Sequence, residues 1–283
     1  MRTPTLRKYE SKLVEVNDQL CYFLFSDSEV VTHLSNSIKD SDSRFTTEAF
    51  PDNKFSERLH IKVEALPLFR EKAFHTLVGM SLITAVEYIL NYIEEIEKYH
   101  SYVAPCDHDS IKDNKPEEQL KKKIKGWLGT GPEIAIIKTI RYLRLRRNHI
   151  AHVRDEMSQE FSSLLKNDSN LLNSYWMAKP SELYDFNFSK EEYSSFSVNE
   201  VFSLVNLTRI CMREVDKIVV STLSIEDIAQ YEISEFLKND DIKRLKISSK
   251  IRKFRAFIKH KYGTPLQCSE EEYTAYVSNA YSS

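Results

Sequence analysis

The segment 68–99 narrows the fold more than any other part of the chain. Phe74, Leu77, Val78, Ala85, Ile89, Ile93 and Ile96 recur at helical spacing and spread over a broad apolar face. A helix wet along only one narrow side belongs at the centre of a bundle. Two further segments carry the same period. Tyr9, Leu13, Val16, Leu20 and Phe23 mark a helix over about 7–24. Val198, Val201, Val205, Thr208, Met212, Val215 and Val219 mark another over about 198–223. Only 5 Gly and 8 Pro occur among 283 residues, too little punctuation for a many-turned β fold. The expectation is a mostly α protein.

Between these helices the pattern is less regular. The stretch 35–53 is polar and reads as a loop. Leu59, Ile61 and Val63 then alternate with His60, Lys62 and Glu64, which suggests a short strand. The stretch 100–132 reads as a connector with amphipathic turns at Leu120, Ile124, Trp127 and Leu128. Gly129, Gly131 and Pro132 then announce a helix from about 132. The stretch 155–197 holds Tyr175, Trp176, Tyr184, Phe186 and Phe188; it is long for a loop and suits a lid, an interface or small helices. The tail adds a segment at 225–237 and a basic helix over about 241–261. Three parts are expected: an N-terminal helical extension (1–66), a helical core (67–223) and a basic C-terminal extension (224–283).

Composition limits the functional classes. A hydrophobic fraction of 41% and a charged fraction of 29% describe a globular chain. The formal charge of -2 gives no global attraction to nucleic acid, so an electrostatic site has to be a local patch. Cys21, Cys106, Cys211 and Cys268 are scattered and form no CxxC pair, which argues against a disulfide framework or zinc ribbon and for a reducing cytosol. Cys106, His108 and Asp109 resemble metal ligands, but no second cluster completes a tetrahedral set. Neither a metal nor a cofactor is expected. The longest uncharged stretch near the middle, 73–86, falls short of the roughly 20 apolar residues that span a bilayer. No signal peptide is evident, and a cytoplasmic protein is expected.

The residues that carry chemistry lie at the end of the helix beginning near 132. Arg147, Asn148 and His152 form the pattern Arg-Asn-x-x-x-His. A fixed cation, an amide and an imidazole within about one and a half turns can bind a phosphate and move a proton near neutral pH without a metal. Ile136, Ile140, Leu143, Arg147 and Ala151 share one helical face, so the guanidinium continues an apolar stripe and has to be paired. Arg147 and His152 are about 140° apart around a straight helix, which calls for a bend, a reaching Arg side chain or a two-fold dimer. The spacing Arg-x4-His alone is weak. It occurs at Arg70–His75, Arg144–His149, Arg147–His152 and Arg255–His260, but only Arg147 is followed by Asn.

The motif in this context resembles the signature of the HEPN family, whose all-helical domains often act as metal-independent ribonucleases. The resemblance covers about 68–223. It implies a HEPN-like antiparallel helical bundle, a homodimer and cleavage of RNA by 2′-hydroxyl transesterification. In that scheme His152 is the base or acid, Arg147 stabilises phosphoryl charge and Asn148 orients the imidazole or phosphate. It further implies a toxin or antiphage-defence role, with an antitoxin or defence-system protein as partner. Some family toxins carry a modifiable Tyr two residues after the motif His. Arg154 stands there in this chain, so that regulation does not carry over.

Other readings compete. Arg147 and His152 suit a helix C-terminus through the macrodipole alone. Arg141, Arg144, Arg146 and Arg147 could form the RNA- or protein-contact surface of a non-catalytic module. The run 243–261 contains nine Lys or Arg and no acid, with Ile247, Ile251, Phe254 and Ile258 as its apolar stripe. Lys250, Arg252 and Lys253, with Arg141 and Arg144, are the expected RNA-backbone contacts. A docked amphipathic helix with a solvated face explains the same run. Glu87 and Asn91, on one polar side of the long helix, are candidates for orienting the motif. A helical scaffold that self-associates through the repeat after Val198 is a third reading.

Overall fold

The computed structural model describes residues 1–37, 43–151, 156–179, 183, 186–189 and 197–280, excluding the side chains of 35–37 and 108–109. Among these residues the chain is mostly helical and forms no strand. Helices α1 (Pro4–Ser37), α2 (Thr46–Ala49) and α3 (Ser56–Leu59) lead through a 3-10 turn (Val63–Ala65) into α4 (Leu66–Val103). A second 3-10 turn (Asp107–Ser110) precedes α5 (Pro116–Leu128), α6 (Ile134–Ala151) and α7 (Gln159–Met177). Then follow α8 (Val198–Thr222), α9 (Ile225–Phe236), α10 (Asp240–Lys243), α11 (Ile247–Tyr262) and α12 (Glu270–Asn279).

The termini of these helices follow from local chemistry. The Thr3 hydroxyl accepts from the Leu6 N–H at 3.1 Å and caps α1. Ser158, Ser197, Ser224 and Ser269 do the same for α7, α8, α9 and α12. Pro116 opens α5, where a missing N–H costs nothing. Gly129 closes it at φ 72°, a left-handed position where a Cβ would be strained.

α4 is the axis of the molecule. Val78, Leu82, Ala85, Val86, Ile89, Ile93 and Ile96 are buried along it, against α1, α8 and α6. α6 is enclosed by α4, α5, α7 and α8. α1 is no appendage: Leu6, Tyr9, Leu13, Val16 and Leu20 belong to the same continuous core as α4 and α8. The expected part boundaries fall at the start of α4 and just after α8, yet one core runs across both. At the other end, Tyr99 and Tyr262 hydroxyls meet at 2.6 Å, and the Tyr262 hydroxyl donates to buried Glu232 at 2.6 Å, tying α4 to α11 and α9.

Several sequence expectations are corrected. The strand at 59–63 is an isolated antiparallel bridge between Phe45 and Lys62. Leu59 ends α3 and is 42% exposed, so among the described residues the alternation has no second strand and no continuous buried face. The loop at 35–53 yields its start to α1 and contains α2. The stretch 155–197 contains the 19-residue helix α7, with Phe161, Leu164, Leu172 and Trp176 buried. Tyr184 lies outside the described residues. The tail contains a further helix, α12, whose Tyr273 and Val277 are buried. Although 73–86 is short, Val63–Val103 as a whole is long and apolar enough to cross a membrane by length and composition; 33% of its most apolar window is buried in this fold.

Candidate active site

α6 is fixed before any chemistry is considered. Ile136, Ile140 and Leu143 are buried, and the Trp176 indole N–H of α7 donates to the buried Thr139 hydroxyl at 2.9 Å. Arg146 is wholly buried. Its guanidinium donates to the Tyr142 hydroxyl at 2.7 Å and to the Glu200 carboxylate at 2.5 Å. Tyr142 in turn packs edge-on against Phe161, Phe186 and Phe188. The motif helix is therefore clamped from α7 and α8 at the position immediately before Arg147.

Arg147 does extend the apolar stripe of α6, and it is paired, as the cost of burying a lone charge requires. Its guanidinium forms an ion pair with Glu87 of α4 and donates to the Asn148 side-chain carbonyl at 2.7 Å. The Arg147 side chain is 23% exposed and Nε is buried with no acceptor among the described residues. Glu87 and Asn148 thus hold the two terminal nitrogens of the guanidinium, one each. Asn91, the other residue considered on α4, is exposed. His152 and Arg154 lie outside the described residues.

The neighbouring histidine is a different environment. His149 sits 6.3 Å from the Phe161 ring, and its Nδ1 is buried without a partner among the described residues. Burial, and secondarily the charge of Arg146, holds its pKa below the usual imidazole value.

All four arginines of the Arg-x4-His pattern are ion-paired: Arg70 with Asp27, Arg144 with Glu117, Arg147 with Glu87 and Arg255 with Glu270. Pairing alone does not single out Arg147. Its position does, between α4 and the C-terminal turn of α6.

The remaining basic residues separate into engaged and free groups. Arg144 makes a forked contact to Glu117 (3.1, 3.0 and 2.7 Å) and reaches Glu160 at 3.0 Å, leaving 13% of its side chain exposed. Arg141 donates to Glu160 at 3.0 Å, which Lys115 also contacts at 2.9 Å. These guanidiniums brace α6 against α5 and α7, so Arg141, Arg144, Arg146 and Arg147 do not form one free basic surface. On α11 the stripe runs at four-residue spacing through Lys250, Phe254, Ile258 and Tyr262, all buried, while Ile247 is 51% exposed. Lys250 thus points inward, a correction to its expected place on the solvated face. Arg252 and Lys253 are exposed. Cys21, Cys106, Cys211 and Cys268 are free thiols. Among the described residues no group of three or more His, Cys, Asp or Glu could hold a metal.

Sequence reasoning found Glu87 but missed Glu117, Glu160 and Glu200, the carboxylates that neutralise the arginines of α6. Each lies in the first turn of a helix, where an acid is expected for the dipole alone. Ser197-Val-Asn-Glu200 even reads as a capping box, yet the Glu200 side chain turns inward to Arg146. Nothing local distinguishes those two roles.

Comparison with known proteins gives no match: no protein-family model, no curated protein and no solved structure matches this chain. What stands is the class, a mostly α protein with a charged motif at the end of a buried helix.

Proposed function

We infer that this chain is a cytoplasmic, metal-independent endoribonuclease of the HEPN type, acting as a homodimer in a toxin or antiphage-defence system with an antitoxin or defence protein as partner. The observation that carries the reading is Arg147, held by Glu87 and Asn148 at the last turns of α6, five residues before His152. In the reaction, His152 takes the proton from an RNA 2′-hydroxyl and that oxygen attacks the adjacent phosphorus. The 5′-oxygen leaves with a proton, and a 2′,3′-cyclic phosphate remains. Arg147 offsets the charge growing on the phosphoryl oxygens. Leu77 and Met80, 46% and 55% exposed on α4 within three turns of Glu87, offer an apolar surface that a second copy would cover. Arg252 and Lys253 are the backbone contacts left available on α11.

The second reading is a non-catalytic HEPN-like module that binds RNA or a protein partner. It is favoured by the neutralisation of Arg147 by Glu87, which leaves a phosphate to compete with a carboxylate already in place.

The test is cleavage of a labelled RNA pool in EDTA by the wild-type, Arg147→Ala and His152→Ala proteins, each checked for folding. Cutting that leaves 2′,3′-cyclic ends and falls at least a hundredfold in both variants supports the nuclease. RNA binding without cutting, lost in Arg147→Ala, supports the module.

A further inference from the structure

Away from Arg147, the C-terminal part of α4, the connector and the start of α5 line an open cavity of about 740 Å³. Glu97 lies at its floor with 3% of its side chain exposed. One carboxyl oxygen, Oε2, accepts from the Gln119 amide at 2.5 Å and lies 3.2 Å from the Lys123 ammonium. The other, Oε1, is buried and has no partner among the described residues. A buried polar atom without a partner is costly and rare in native folds, and at a cavity it marks a place for a ligand atom. Burial also pushes the Glu97 carboxyl above its ordinary pKa, against the pull of Gln119 and Lys123. A bound donor would relieve both conditions.

The rest of the wall restricts that donor. Lys98 is paired with Glu94 at 2.5 Å, and Asp113 with Lys122 at 2.7 Å. Lys112 and Asn114 are exposed at the cavity, and no side-chain contact to either occurs among the described residues. Tyr102 lines the same cavity and is 68% exposed, leaving its ring face open. An acceptor at the floor, an open aromatic ring and a cation fit a flat, N–H-bearing heterocycle joined to an anion.

We propose that this cavity binds a purine nucleotide, with the base donating an N–H to Glu97 and stacking on Tyr102 while the phosphate meets Lys112. The site uses none of the residues assigned to RNA cleavage and stands whether or not that reading does.

The experiment is calorimetric titration of the full chain with GMP and AMP, with inorganic phosphate and spermidine as separate probes. The expected result is saturable binding of a purine nucleotide, at least tenfold tighter than phosphate or spermidine. Glu97→Gln, which keeps the side-chain shape, should weaken it at least tenfold. Tyr102→Ala and Lys112→Glu, both at exposed positions, should each weaken it severalfold with an unchanged melting temperature. Phosphate binding as tightly as GMP would reduce the site to a lysine anion contact and overturn the proposal. Spermidine alone binding, no nucleotide binding at millimolar concentration, or binding untouched in Tyr102→Ala and Lys112→Glu would overturn it equally.

Discussion

At the residue scale the structure is decided by how it disposes of charge. Arg146 has no exposed side chain, and Glu200 compensates it. Removing one member of a buried pair leaves the other uncompensated, at a cost of about 3–5 kcal/mol. Glu200→Ala should lose that much in urea denaturation, while its exposed neighbour Asn199 tolerates the same change. His149 supplies a pH signature. Its folded pKa lies below the unfolded value of about 6.5, so the unfolded chain binds the proton more readily. Stability is therefore intact above about pH 6.5 and is lost as pH falls toward the depressed folded value. His149→Gln should flatten the melting temperature over that interval; a slope identical to wild type would assign the acid sensitivity elsewhere. The sequence announced Arg147 as a charge in an apolar stripe that needs a partner, and offered Glu87 and Asn91 on α4 as groups to orient the motif; the structure pairs Arg147 with Glu87. It gave no sign that Arg144 and Arg146 were neutralised too, because their carboxylate partners lie between 16 and 54 residues away.

At the element scale, α6 is held as a wedge. Arg141 and Arg144 reach Glu160 of α7, and Arg144 also grips the fully buried Glu117 of α5. Glu117→Gln keeps the shape and removes the charge, and should cost about 1.5–3 kcal/mol, the range for hydrogen bonds to charged groups. Chemical denaturation measures it. Hydrogen exchange should show the extra opening concentrated in α5 and α6, and a uniform change would deny the wedge. Periodicity found α1, α4, α6 and α8 because each buries a long stripe. It missed α7, whose buried residues are separated by polar ones such as Lys166, Asn167 and Asp168, and it cut α1 short, since the half beyond Leu24 carries exposed Phe25 and Val30. The apolar alternation at 59–63 misled because a strand requires a paired neighbour, and among the described residues pairing stops at the single Phe45–Lys62 bridge.

At the scale of the whole molecule, the termini are tied to the centre through buried polar groups. Asp216 of α8 accepts from the backbone N–H and hydroxyl of Thr3 and, at 3.4 Å, from Tyr92. Tyr262 joins Tyr99 and Glu232. Tyr262→Phe should cost about 1–3 kcal/mol, since it leaves Glu232 short of a buried donor. The loss should appear as a lower melting temperature with the transition still single, and a separate early transition would show that α9–α12 unfold independently. The sequence by itself determined the helical class, the four principal core helices and the need for a partner at Arg147. Those depend on spacing within a few turns and on the cost of burying charge. Only the tertiary structure decided which carboxylate meets which arginine, that Lys250 faces inward, and that a cavity forms beside Glu97. Those depend on which helix faces pack together, and that is set by the whole core at once.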